Sequence, residues 1–215
     1  MKPLAIIIPV KSPHRGKSRL GGVLRPADRY DLNLRLLGHT LDQAAELADL
    51  AAIHVVSKSA EALAEARLRG FATCLEPDFF DLNAAVTLAV RQAAECGAGE
   101  VMVLPIDLPW LSSQRLRALV AEFRNGPDVM IIADRLKSGT NVLLWRPIST
   151  VSVHYGRGSA QLHAAAADRL GLRSLTRSDP QLSFDIDTPE DFAEWSREAA
   201  PGRDQPATIL RSSSS

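Results

Sequence analysis

Three aspartates and a run of cations carry most of the chemical promise of this sequence. Asp107 stands in Leu104-Pro-Ile-Asp-Leu-Pro-Trp-Leu111, directly after an apolar run and between two prolines. A carboxylate placed at the mouth of a buried strand is costly unless a cation faces it. Asp185 and Asp187 lie two residues apart in Ser183-Phe-Asp-Ile-Asp-Thr-Pro-Glu-Asp-Phe192. On an extended chain both point to one side, where like charges repel unless a cation sits near them. Asp107, Asp185 and Asp187 therefore form a candidate ligand set for Mg²⁺, an ion that keeps several waters and also binds phosphate oxygens. Glu190 and Asp191 follow Thr188-Pro189 and suit the first turn of a helix, a structural use.

The cations come early. Leu4–Val10 is apolar and leads into Lys11-Ser-Pro-His-Arg-Gly-Lys-Ser-Arg-Leu20. Gly16-Lys17-Ser18 invites comparison with an ATPase phosphate loop, GxxxxGK[ST]. That motif requires glycine at position 11, where this chain has Lys11. Gly21, Gly22 and Pro26 also prevent a long helix from starting at Lys17. What remains is a loop carrying Lys11, Arg15, Lys17 and Arg19 beyond the carboxyl end of a strand, where open α/β sheets bind ligands. Such a loop suits a triphosphate; a solvated basic loop is the plain alternative.

Two further stretches have weaker but compatible chemistry. Gly139-Thr140-Asn141 enters an apolar run, and Gly156-Arg157-Gly158-Ser159 leads into a helix. Backbone amides at such glycines, and a helix N-terminus, favour an anion, although a turn with an ordinary cap explains the same residues. Asn83 opens a helix after Leu75-Glu-Pro-Asp-Phe-Phe-Asp81, and its amide has the donor and acceptor needed to read a nucleobase edge. Capping explains it equally well. His163 reads as a core residue or a support to a ligand-binding group. His14, His39, His54 and His154 lack metal-ligand spacing.

The elements that must position these residues alternate. Strands are expected at Ala5–Val10, Ala52–Ser57, Ala72–Leu75, Val101–Ile106, Val129–Ala133 and Asn141–Trp145. Further strands are expected at Val151–Tyr155, near Leu172–Leu175, and at Leu182–Ile186. Helices are expected at about Pro26–Leu47, Ala60–Arg69, Leu82–Glu95, Ser112–Phe123 and Ser159–Leu170, and from Pro189. Continuously apolar strands separated by helices imply a three-layer α/β sandwich, its sheet mostly parallel and mixed in the second half. Residues 1–200 read as one domain and 201–215 as a disordered tail without a core-forming pattern.

Composition narrows the function classes. The 215 residues are 46% hydrophobic, and 25 Lys+Arg balance 25 Asp+Glu. Zero net charge argues against a nucleic-acid binder. The opening apolar run is too short for a signal peptide or a membrane span, so a cytoplasmic protein without a membrane partner is expected. Cys74 and Cys96 form no zinc pattern and read as buried free thiols. A homodimer is expected only because two-fold assemblies are the commonest.

In order, the motifs are PVK…KSRL, LNAA, PxDLP, GTN, YGxGS and DIDTPED. This set resembles the family of 2-phospho-L-lactate and phosphoenolpyruvate guanylyltransferases, which serve deazaflavin coenzyme biosynthesis, from Ala5 to about Trp195. The resemblance implies a nucleotide-diphospho-sugar transferase (glycosyltransferase-A) type of fold. It also implies attack of a phosphorylated three-carbon acid on the α-phosphorus of GTP, with pyrophosphate leaving. By position, Asp107, Asp185 and Asp187 would hold Mg²⁺, and Lys11, Lys17 and Arg19 the triphosphate. Lys17, Arg19 and Asp107 would act in catalysis. Thr140, Gly156 and Ser159 would hold the acid, and Asn83 would sit near guanine. Arg157 adds a cation to the acceptor loop, so phospholactate, phosphoenolpyruvate and 3-phosphoglycerate all stay open. Two other readings stand beside this one: transfer to a sugar phosphate or molybdopterin, and a nucleotide-binding regulatory domain without turnover.

Overall fold

The computed structural model describes residues 4–14, 16–77 and 81–199; Arg15 and the 201–215 segment lie outside them. Seven strands form one sheet: β1 (Leu4–Val10), β2 (Ala51–Ser57), β3 (Ala72–Leu75), β4 (Glu100–Val103), β5 (Val129–Ala133), β6 (Thr140–Trp145) and β7 (Ser174–Arg177). Their order is β3-β2-β1-β4-β6-β5-β7. All neighbouring pairs are parallel except those of β6, which runs antiparallel to both β4 and β5. Among the described residues there are six α-helices, α1 (Pro26–Ala45), α2 (Ala60–Leu68), α3 (Leu82–Glu95), α4 (Ser113–Arg124), α5 (Ser159–Arg169) and α6 (Pro189–Glu198); the first five lie against the sheet and α6 packs beside the Ser18–Gly22 turn.

The period of two in β1 builds the layers. Leu4, Ile6, Ile8 and Val10 pack on the side of Leu37 and Leu41 of α1, Leu63 of α2 and Leu116 of α4. Ala5 and Ile7 face the opposite cluster, with Val86 and Val90 of α3 and Ala167 of α5. A strand buried on both faces must read as a continuous apolar run, and Leu4–Val10 does. Serine caps start two helices: Ser59 Oγ accepts from the Ala62 N–H, and Ser112 Oγ from the Arg115 N–H.

Several expected elements differ, each for a local reason. β4 stops at Val103 because Pro105 has no N–H with which to continue a ladder. Val151–Tyr155 is not a strand. Its hydrogen bonds go to side chains instead: the His154 N–H to His163 and the Tyr155 N–H to Asn83. Leu182–Ile186 is not a strand: Leu182 lies in a turn and Ser183 at a bend, and the segment meets the loop after β4 through the Ile186 N–H to Asp107 C=O at 3.0 Å. The strand expected near Leu172–Leu175 is shifted to Ser174–Arg177, beside β5. The first long helix ends at Ala45 rather than Leu47. Cys74 is buried, but Cys96 is exposed, contrary to expectation. No helix among the described residues is long and apolar enough to cross a membrane.

Candidate active site

The carboxyl ends of β1, β2, β3 and β4 share one edge of the sheet, and β6 begins at that edge because it runs the other way. A cavity of about 700 Å³ opens there, and Lys11, Gly16, Lys17, Asp107 and Asp187 line it.

A third apolar cluster brings the basic loop to the acidic segment. The turn at Ser18–Gly22 buries Leu20 against Leu32 and Leu36 of α1 and against Phe184 and Ile186. Phe184 and Ile186 point into this cluster, so the alternate residues Asp185 and Asp187 turn the other way. The period-two pattern works here without a strand. The Ile186–Asp107 backbone hydrogen bond then draws Asp185 and Asp187 to Asp107.

Lys17 sits at the centre. Its Nζ donates to Asp107 Oδ2 at 3.0 Å and lies 3.8 Å from Asp187 Oδ1, with its side chain only 6% exposed. Its backbone is left-handed (φ 53°, ψ 39°), a conformation that costs a lysine on the order of 1 kcal/mol and aims the side chain inward. Arg19 reaches Asp187 Oδ2 at 2.7 Å from a largely exposed position. Lys11 is exposed on the cavity rim. Asp185 is half-buried and accepts from Asn141 Nδ2 at 3.3 Å. Burial first, and the Asp107 charge second, push its carboxyl up to about 6.

The three aspartates therefore feel one another, but among the described residues no three carboxylates or other donors form a ready-made metal cluster. Instead, the Lys17 ammonium occupies the cation position between Asp107 and Asp187. Their chemistry fits a hard cation once that ammonium turns toward phosphate: oxygen donors, one of them, Asp185, already destabilised as an anion by burial and then by the Asp107 charge.

Beyond β4 the site changes character. Thr140 opens β6 and Ser159 is the first residue of α5; both are buried. Ser159 Oγ donates to Thr140 Oγ1 at 3.1 Å, and Thr140 Oγ1 lies 3.0 Å from His163 Nδ1. The His154 N–H donates to His163 Nε2 at 2.8 Å. That nitrogen must therefore carry the lone pair, which places the proton on Nδ1, facing Thr140. Burial, with His154 nearby, holds His163 down to about 4, so the ring is neutral near pH 7. Gly156 (φ 130°) and Gly158 (φ 73°) make the turn that starts α5, in conformations open to glycine.

Asn83 has a different use from the one expected. Its Oδ1 accepts from the Tyr155 N–H at 2.6 Å, and its Nδ2 donates to the Tyr155 C=O at 3.1 Å. Both ends of the amide clamp α3 to the acceptor loop, so the base-reading assignment loses its donor–acceptor pair. Asp81 caps α3, accepting from the Ala84 N–H at 2.8 Å.

Sequence reasoning missed Asn33. It is buried on α1 and donates from Nδ2 to the Pro13 C=O at 2.7 Å. Gly16 lies against the same amide, and a Cβ there would stand 2.6 Å from Nδ2. The signal was available: one polar residue on the apolar stripe of a helix, between Leu32 and Leu36.

Known proteins resemble this chain in sequence and in fold. The family model for guanylyl transferases of the CofC-like type matches residues 4–197. A phosphoenolpyruvate guanylyltransferase of Rubrobacter xylanophilus is 41% identical over 187 residues, covering 87% of this chain and 90% of its own. Its counterpart from Chloroflexus aggregans is 35% identical over 196 residues, covering 89% and 96%. Among solved structures, a nucleotide-diphospho-sugar transferase of Desulfovibrio desulfuricans superposes with TM-score 0.73 at 18% identity, over 99% of this chain and 92% of that one. A nucleotidyl transferase of Methanothermobacter superposes with TM-score 0.62 at 16% identity, over 91% and 97%. The structural likenesses establish the fold: a nucleotidyltransferase-type mixed α/β sandwich.

Proposed function

The chain belongs to the CofC-like guanylyl transferase family and is a guanylyltransferase acting on a small phosphorylated acid, and we propose phosphoenolpyruvate as that acid. The observation that carries the reading is the order of groups along one sheet edge. Cations and carboxylates lie at β1 and β4, and a neutral network of hydrogen-bonded hydroxyls, Thr140 and Ser159 held by His163, lies at β6 and α5. The first suits a triphosphate and the second a small acid. Phospholactate and 3-phosphoglycerate are the competing acceptors.

Lys17, Arg19 and Lys11 bind the triphosphate and neutralise charge as pyrophosphate departs. Thr140, Ser159 and the amides near Gly156 orient the acid so that its phosphate oxygen faces the α-phosphorus of GTP. An ionised phosphate is already a nucleophile, so no residue is required to remove a proton. Asp107, Asp185 and Asp187 would hold Mg²⁺. When bound, that ion supplies Lewis-acid polarisation of phosphate oxygens and a template for in-line attack. The continuity of the seven-stranded sheet supports reading residues 1–200 as one catalytic unit. The same reading places the enzyme in deazaflavin coenzyme biosynthesis.

The test is pyrophosphate release from GTP and Mg²⁺ with each of the three acids separately. Turnover is expected with phosphoenolpyruvate well above the other two. Faster turnover with phospholactate or 3-phosphoglycerate would reassign the acceptor, and none with any of the three would sink the reading.

A further inference from the structure

The cavity extends past the basic loop, and its lining includes an ion pair that the proposed phosphate and acceptor contacts do not use. Glu76 follows β3 and Lys58 follows β2; both line the cavity, and Lys58 Nζ lies 3.4 Å from Glu76 Oε1. The Glu76 side chain is only 14% exposed. A spacing of 3.4 Å is long for a charge-assisted hydrogen bond, for which about 2.7–2.9 Å is normal, so the carboxylate keeps lone pairs for a ligand.

The pair is held in place by the sheet. The Glu76 N–H donates to the Ser57 C=O at 3.0 Å, extending the β2–β3 pairing by one residue. Ser57 is fully buried; its Oγ donates to the Val10 C=O at 2.7 Å and accepts from the Ser59 N–H at 2.9 Å. Lys58 is thus fixed between two anchored residues. Pro9, Val10, Leu82 and Ala85 line the same cavity and give apolar walls to a flat ring. Across the order β3-β2-β1-β4, Glu76 stands three strands from Asp107, roughly 14 Å at about 4.8 Å per strand. That is the reach of a nucleoside between its base edge and its phosphates.

We propose that the Glu76–Lys58 pair reads the Watson–Crick edge of guanine and makes this enzyme choose GTP. Guanine presents the O6 acceptor beside the N1–H and N2–H₂ donors. A carboxylate accepts from both donors at once, and the neighbouring ammonium donates to O6. Adenine reverses the pattern, setting an N6–H₂ donor against the ammonium and a bare N1 against the carboxylate. Of the other carboxylate at this end, Asp81, one oxygen is already taken by the Ala84 N–H cap. The proposal rests on the guanylyl-transfer reading only in taking GTP as the nucleotide.

Equilibrium binding of GTP, ITP and XTP, without acceptor, tests it. ITP lacks the 2-amino group, and XTP has a carbonyl oxygen there. Wild-type protein is expected to bind GTP about 10–100-fold more tightly than ITP, the range for a hydrogen bond to a charged group. Glu76→Gln, which keeps the shape, should collapse that ratio to near unity and raise XTP affinity, because the new amide donates to the xanthine 2-oxygen. Lys58→Met should weaken GTP, ITP and XTP alike, since all three keep O6. Asp81→Asn should leave the GTP/ITP ratio as it was. A ratio unchanged in Glu76→Gln, or collapsed in Asp81→Asn instead, overturns the assignment while guanylyl transfer stands. Wild-type protein that binds GTP and ITP equally also overturns it, and protein that binds no GTP overturns both. Protein that binds GTP selectively yet releases no pyrophosphate with any acid sinks only the transfer reading.

Discussion

The two ends of the proposed site are built from opposite materials. On the nucleotide side, Lys17, Arg19, Asp107, Asp185 and Asp187 are charged, and their mutual contacts are those of ions awaiting another ion. On the acceptor side, Thr140, Ser159, His163 and Asn83 are neutral, and their hydrogen bonds are made before any ligand arrives. Charges carry long-range attraction for a triphosphate but need rearrangement when it binds. Neutral hydrogen bonds attract little from a distance but fix geometry in advance. On the proposed assignment the difference divides the labour: one half would capture and neutralise, the other position.

The sharpest way to break this division is Asp107→Asn. It removes the carboxylate that faces Lys17, and kcat is expected to fall on the order of 10³-fold, with an unchanged circular-dichroism spectrum. Retained turnover would show that the charged half does not drive the chemistry. Lys17→Ala follows, with about a 10²-fold loss in kcat/KM for GTP. It should also tighten Mg²⁺ binding in the absence of nucleotide, measured by titration calorimetry, because the competing ammonium is gone. Weaker Mg²⁺ binding would mean that Lys17 supports the carboxylates rather than substituting for a metal.

The two halves also respond to pH with opposite sign. Asp185 is raised to about 6 from an unfolded value of 3.8, so the folded chain binds more protons between them. The stability linked to it is fully present below 3.8 and is lost as pH rises through about 6. His163 is lowered to about 4 from 6.5, so its linked stability is present above 6.5 and lost as pH falls through about 4. Each shift corresponds to roughly 3 kcal/mol, and in metal-free protein they offset one another over this window. Denaturant midpoints between pH 4 and 6 should therefore be nearly flat for wild type, rise with pH in Asp185→Asn, and fall with pH in His163→Gln. Parallel slopes in the two variants would refute the opposition.

A smaller effect sharpens the acceptor side alone. His163→Ala unlocks the Thr140 hydroxyl and should raise the acid's KM about 10-fold while GTP affinity stays within twofold. An equal loss on both substrates would mean a general packing defect. Smaller still, Asn33→Ala releases the Pro13 carbonyl and should weaken GTP binding several-fold without touching the acid. Equal weakening of both would show that α1 does not act through the basic loop.

Much of this was legible in the sequence because burial writes period and punctuation into a chain. Leu82–Glu95 is the helix its pattern implied, and the apolar runs of β1 and β5 are two-sided strands. Asp107, Asp187, Lys17 and Arg19 were legible because charges at strand ends are hard to explain otherwise. What was not legible depended on partners far along the chain. Val151, Val153 and Tyr155 alternate like a strand, but side chains 9 and 72 residues away take their backbone groups. For the same reason Asn83 looked free. Glu76 and Lys58 drew no notice, since an ion pair between two loop residues has no local pattern at all.

The reversed strand β6 has a consequence for how such enzymes diversify. It brings the proposed acceptor groups to the sheet edge from the opposite chain direction, on elements that carry none of the cations and carboxylates at β1 and β4. Ile148 and Tyr155 tie most of the connection to Gly99 and Asn83, so the part free to change without moving β1, β2 or β4 is the exposed turn at Gly156 and Arg157. On the proposed site assignment, a change of acid would then fall on one exposed turn while the nucleotide end keeps its strands.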